Sequence, residues 1–144
     1  FLTCFAEVDI GFETPLNFMG GIRDRAAGID VKKGGIFPIV HGVRVLAMQY
    51  QVAETNTYKR IESLIKLGVL PPRLASELME SFSILQWFRL AHHLQQQEQD
   101  CTPEELNNDI NLESLDRLEK DLLRQSLQVV KDFKKHLSLR YRLG

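Results

Sequence analysis

Cysteine is nearly absent from this chain. Cys4 and Cys101 are the only two in 144 residues, and they lie far apart with no partner pattern. Neither a disulfide scaffold nor a zinc site is indicated, and a reducing cytoplasm is the expected compartment. Long apolar runs are missing as well: charge interrupts each one within a few residues, so no segment reads as a membrane span, and no basic stretch precedes an apolar one as in a signal peptide. There is no excess of positive charge, since 18 Lys and Arg stand against 19 Asp and Glu, for a formal net charge of -1. A general nucleic-acid binder needs clustered basic charge to neutralise phosphates, so that class is excluded. Catalytic signatures are missing too. The chain has no phosphate-cradling P-loop, no pair of histidines at i, i+4 on a helix and no paired aspartates of a polymerase-type metal site. With no activated nucleophile and no metal ligand set, no catalytic residue is assigned, and the chain is not expected to be an enzyme by itself.

What is present suits one compact domain. With 44% hydrophobic and 26% charged residues, the length supports a single core over residues 1–144 and is too short for two ordinary ones. The chain begins with Phe1 inside an apolar segment, which leads us to expect a piece of a longer polypeptide. Charge is uneven along it. Between Leu90 and Asp116 there is no Lys or Arg but there are seven acids, whereas from Leu115 onward eight basic residues face four acids. Solvated helix faces account for this asymmetry without a functional field.

Helical periodicity dominates the pattern. Residues Phe1 to Ile10 read as the end of a helix, and the turn-rich segment that follows, with Pro15 and glycines to Gly28, reads as irregular chain. The run "GIDVK" alternates like a short strand. A helix is expected from around Pro38 to Tyr50, with Ile39, Val43, Leu46, Ala47 and Tyr50 inward and His41, Arg44 and Met48 on another face. Another follows the cap-like "ETNT", turning Ile61, Leu64, Ile65 and Leu67 inward and stopping at Gly68. Pro71 and Pro72 open the longest mid-chain helix, to about Gln97, with Leu74, Leu78, Phe82, Leu85 and Phe88 inward and a glutamine-rich end expected to fray. Thr102, Pro103 and Glu105 make a capping-box pattern for a short turn. The last helix, from about Ser114 to Tyr141, is expected to bury Leu115, Leu118, Leu122, Val129, Phe133 and Leu137. One-sided helices bury themselves best against each other, so the predicted fold is all-α, an antiparallel bundle of four to six helices with an irregular N-terminal segment.

One stretch carries more than packing. In "GIDVKKGGIFPIVHGVRVLA", Asp30, Lys32, Lys33, His41 and Arg44 surround the pair Gly34 and Gly35, which read as a hinge between strand and helix. Glycine lets the backbone approach another group closely, and a helix N-terminus offers free N–H groups and partial positive charge, a setting for phosphate or carboxylate. A strand-to-helix turn needs glycine for structural reasons alone, so the pattern leaves both readings open. Arg89 and His92, three apart on the long helix, can present a cation and an imidazole to an anion. Adjacent His92 and His93 fall on different faces, against joint metal ligation.

Four blocks in order, "IDVKKGGIFPIVHGVRVLAMQY", "ETNTYKRIESLIKLGVL", "FSILQWFRLAHHLQQ" and "SLDRLEKDLLRQSLQVVKDFKKHLSLRY", resemble the putative nucleotidyltransferase substrate-binding domain over nearly the whole chain. The first block is also similar to the Asp-x-Lys, Gly-Gly segment after the catalytic domain of PII uridylyltransferases and glutamine synthetase adenylyltransferases. The residues matching the family pattern are Asp30, Lys32, Gly35, Pro38, Arg44, Asn56, Thr57, Arg60, Arg89 and His92. The chain departs from it at His41 and Gly42, where the family usually has an aspartate and an apolar residue, which leaves a more basic pocket.

The resemblance implies a helical domain behind a nucleotidyltransferase domain, commonly together with CBS or cyclic-nucleotide-binding modules in bacterial signal-transduction proteins. It implies that magnesium and a nucleoside triphosphate are bound by the full-length protein and no cofactor or metal by this fragment. Asp30, Lys32, His41, Arg44, Asn56, Arg60, Arg89 and His92 become the candidate substrate-binding residues. Lys32 and Arg44 would meet phosphate or an acidic acceptor, Asp30 would orient Lys32 or bind ligand, and Arg89 with His92 would line the facing wall. The structural alternative pairs Asp30 with Arg44. An alternative of another class makes the bundle an interaction or homodimerisation module that relays CBS or cyclic-nucleotide signals, resting on apolar residues such as Trp87 that lie off the main stripe. Neither nucleic acid nor membrane is expected as a partner.

Overall fold

The computed structural model describes residues 28–99, 102 and 107–141. The helix expected over residues 1–10, the irregular segment up to residue 27, both cysteines and the capping pattern at 103–105 lie outside these residues. Within them the chain forms strand β1 (Ile29–Asp30), a π-helical turn (Lys32–Ile36), α1 (Phe37–Gln49), α2 (Thr57–Lys66), α3 (Pro72–Glu98), strand β2 (Asp109–Ile110), a 3-10 turn (Leu112–Ser114) and α4 (Arg117–Tyr141). This is the all-α bundle the periodicity predicts, with one small β pair added.

Two of the four helices start where a side chain holds their free N–H groups, while α1 and α3 carry a proline in the first turn instead. Asn56 Oδ1 accepts from Lys59 N at 3.2 Å ahead of α2, and Gly68, at φ +73, ends that corner in the left-handed region. Ahead of α4, Asp116 Oδ1 accepts from Glu119 N at 2.8 Å while Glu119 Oε1 accepts from Asp116 N at 3.1 Å, a reciprocal capping box. The helix therefore begins at Arg117, and Ser114 falls in the preceding 3-10 turn.

The core joins all four helices. Ile39, Val43, Leu46, Ile61, Leu64, Leu78, Leu85, Leu123, Leu127, Val130, Phe133 and Leu137 are each fully buried. Burial of one such side chain contributes about 1.5–3 kcal/mol, which makes this cluster the main source of stability. The inward faces expected of α1 and α3 are the ones observed, with Leu74 only half-buried. Two expectations fail. Leu67 is 56% exposed, because α2 ends at Lys66 and Leu67 belongs to the turn. In α4 the inward stripe is Leu123, Ser126, Leu127, Val130, Phe133, Lys134 and Leu137, while Leu118 and Leu122 point outward. The face is displaced by one residue, about 100° of helix, from the stripe through 115, 118, 122 and 129.

Polar ties set how the helices meet. Tyr58 places its hydroxyl 2.7 Å from Ser83 Oγ and packs edge-on against Phe82, pinning α2 to α3. Tyr141 donates to Gln49 Oε1 at 2.5 Å, and the Arg140 guanidinium lies 5.0 Å from the Tyr50 ring centroid, so the end of α4 is fastened to the end of α1. Burial pushes the Tyr141 phenol up, and neighbouring Arg140 pulls it the other way.

Candidate functional site

The stretch of charged residues around Gly34 and Gly35 does not contain a hinge. The π turn runs straight into α1, and Phe37 N–H donates to Lys32 O in the i→i−5 pattern of a π-helix. Gly34 and Gly35 are buried inside it, and neither has positive φ. A Cβ on Gly35 would stand 2.8 Å from Leu85 Cδ1 and 3.2 Å from Leu85 Cδ2, so glycine here allows close approach to α3. The strand is correspondingly shorter than "GIDVK": it ends at Asp30, and Lys32 already belongs to the helical turn.

Asp30 occupies the start of that turn. Its Oδ1 accepts from Lys32 N at 3.0 Å and from Lys33 N at 2.9 Å. The free N–H groups expected to greet an external anion are thus capped from within the chain. Among the described residues Asp30 forms no ion pair with Arg44. The Lys32 and Lys33 side chains project into solvent from the capped turn.

Strand β2 draws a second group of residues to the same place. Ile29 pairs with Ile110 and Asp30 with Asp109 in an antiparallel register, and Val31 N donates to Asn108 O at 3.2 Å. From α3, Arg89 Nε donates to Asn108 Oδ1 at 2.9 Å, and His92 Nε2 lies 3.1 Å from Asn107 Oδ1. Gln96 exchanges two bonds with Asn107, each of 3.2 Å, so the glutamine-rich end of α3 is anchored where fraying was expected. Asp30, Lys32, Arg89 and His92 are brought together through β2. Asn107, Asn108 and Gln96 organise this group, and no motif in the sequence marks them for it.

The other four candidates lie apart from it. His41 stacks on Phe37 at 5.2 Å between ring centroids and is half-buried, and Arg44 is exposed one turn further on. Lys32 lies in the π turn and Arg44 in α1 twelve positions further on, about three helical turns away. Asn56 is the cap of α2, and Arg60 Nε donates to the Glu54 carbonyl at 2.7 Å, so these two hold the corner between α1 and α2. No group of three or more His, Cys, Asp or Glu side chains that could hold a metal occurs among the described residues. None of the described helices is long and apolar enough to cross a membrane.

Neither a curated protein nor a solved structure matches the chain. A family model does, over residues 1–141, and on that match the chain belongs to the family described as putative nucleotidyltransferase substrate binding domain.

Proposed function

We propose that this domain supplies the acceptor side of a nucleotidyltransferase cleft in a bacterial signal-transduction protein. The catalytic carboxylates, with magnesium and the nucleoside triphosphate, would be carried by another domain of the same longer chain, and CBS or cyclic-nucleotide-binding modules would regulate it. The observation that carries the reading, beside family membership, is the cationic end built around β2. Lys32 and Lys33 stand exposed on one side, Arg89 and His92 come from α3 on the other, and of the two carboxylates that face each other across the strand pair, Asp30 is engaged with backbone N–H groups and Asp109 is half-buried. Such an end suits a phosphate or an acidic acceptor. A π turn is itself a feature often found at functional sites. Arg44 and His41, further along α1, would reach a different part of an extended ligand.

The test is steady-state kinetics of the full-length protein with magnesium and each nucleoside triphosphate. A charge-assisted contact is worth about 1.5–3 kcal/mol, so replacing both Lys32 and Lys33 by alanine should raise the Michaelis constant for one substrate at least tenfold. The melting temperature should stay unchanged, because both side chains are exposed. Unaltered kinetics in that variant would remove the cationic end from the reaction.

One observation favours a second reading, an interaction module without a small substrate. Trp87, Leu90 and Leu94 are 52%, 59% and 51% exposed and recur on the outer face of α3, opposite its buried stripe. If this face docks a second copy, Trp87→Ala together with Leu90→Ser should convert a dimer to a monomer in sedimentation.

A further inference from the structure

The two most exposed large apolar side chains among the described residues belong to α4: Leu118 at 74% and Leu139 at 73%. They stand three heptads apart, about 31 Å of helix. Alternating steps of three and four between them trace one row along the helix: Leu118, Asp121, Gln125, Gln128, Asp132, Lys135 and Leu139. All are exposed except Gln128, which is half-buried, and the row lies opposite the buried stripe of the same helix.

The row complements its own reverse. Leu118 answers Leu139, Asp121 answers Lys135, Gln125 answers Asp132, and Gln128 at the centre answers itself. A twofold contact needs this property, because residue i of one copy meets residue j of the other and j meets i. Other arrangements lack it. Parallel pairing would set Asp121 against Asp121 and Lys135 against Lys135, and like charges opposed across an interface are repulsive. Sliding the antiparallel pair by one heptad sets Leu118 against Asp132 in one direction and Asp132 against Asp132 in the other. The contacts made within the chain do not block the row: Asp121 lies 3.8 Å from Arg124 in a surface pair that is readily exchanged, and Gln128 Nε2 donates to Asp132 Oδ1 at 3.0 Å inside the row itself.

We propose that a second copy of this chain docks on the row, the two α4 helices antiparallel about a twofold axis at Gln128. Leucines close both ends, the two Asp121 to Lys135 pairs set the register, and the glutamines bridge the polar middle. Glu77 and Glu80 of α3 border a groove that also holds Gln125 and Asp132, so acids gather at that middle and hold the affinity down. One helix face per copy is also small against the roughly 1,200–2,000 Å² of stable interfaces, so the dimer is weak and dissociates in dilute solution. Trp87, Leu90 and Leu94 of α3 are not part of the row, and the pairing rests neither on their face nor on the nucleotidyltransferase reading.

The experiment is sedimentation equilibrium of the protein from low to high micromolar concentration, over which wild type should pass from monomer to dimer. Leu118→Ser combined with Leu139→Ser should weaken association by about tenfold or more, with an unchanged melting temperature in dilute solution, because both side chains are exposed. Charge reversal reads the register, since each copy carries both members of the ion pair. Asp121→Lys alone and Lys135→Asp alone should each remain monomeric, the two single variants mixed should form a heterodimer, and the variant carrying both exchanges should dimerise as wild type does. A wild type that stays monomeric at every concentration would overturn the proposal, as would a dimer indifferent to the leucine and charge variants. A dimer that Leu90→Ser dissociates and these variants do not would also overturn it, and would place the contact on the outer face of α3.

Discussion

Gly35 and Leu85 touch so closely that a single methyl group does not fit between them: a Cβ on Gly35 would lie 2.8 Å from one Leu85 methyl carbon and 3.2 Å from the other. Leu85 is fully buried, so it has little room to turn away. Overpacking of this kind costs about 1–3 kcal/mol, while exchanging glycine for alanine in a helix recovers about 1 kcal/mol. Gly35→Ala should therefore destabilise the domain by about 1 kcal/mol, and Gly35→Val by more. Urea denaturation of Gly35→Ala, Leu85→Ala and the double variant forms a cycle that checks the contact. The double variant should lose less than the sum of the singles, since the shortened side chain at 85 makes room for the new methyl.

Asp30→Ala separates the cap from a ligand contact. Loss of an N-cap costs about 1 kcal/mol, and asparagine caps about as well as aspartate. Asp30→Ala should lower the midpoint of urea unfolding, and Asp30→Asn should keep it near wild type. A residue that met ligand through its charge would show the reverse ordering of effects in kinetics, with Asp30→Asn impaired in activity at full stability.

The last helix tests which of two apolar faces is the core. Leu123 is fully buried and Leu118 is 74% exposed. Leu123→Ala should cost about 2–5 kcal/mol, as large-to-small core changes do, and Leu118→Ala should stay within about 0.5 kcal/mol of wild type. Thermal unfolding of the two variants decides it. A comparable loss in Leu118→Ala would mean that the outward face is covered by another chain or domain.

The same helix shows where the sequence stops being legible. Helices α1 and α3 have inward apolar residues at one unambiguous spacing, and their faces follow from it. Helix α4 has leucines at 118 and 122, in line with Leu115 just before it, as well as at 123, 127 and 137, so two stripes compete in its first half. Periodicity cannot choose between them, because the choice depends on what Phe88 and Leu85 of α3 present across the interface. The site was less legible than the fold for a similar reason. Asp30 was visible as a charged residue beside a glycine pair, but its role as cap depends on the helix starting at Lys32, before the glycines. Asn107 and Asn108 carry no motif, and they matter only because β2 returns across α3 to meet β1, a contact spanning some eighty residues of chain.

His136 gives the domain a pH dependence whose direction can be worked out. Its Nε2 is buried without a hydrogen-bond partner, and desolvation lowers its pKa below the ordinary histidine value. The unfolded chain takes up a proton at this residue near pH 6.5, while the folded chain resists it. Above that pH both states are neutral and the residue has no effect. As pH falls through about 6.5, the unfolded state binds more protons and stability declines, levelling off only below the folded pKa. His136→Phe keeps an aromatic ring and removes the titration. Chemical denaturation between pH 8 and pH 5 should show a smaller loss of stability in that variant than in wild type. Parallel curves would assign the whole decline to the other histidines and to the carboxylates.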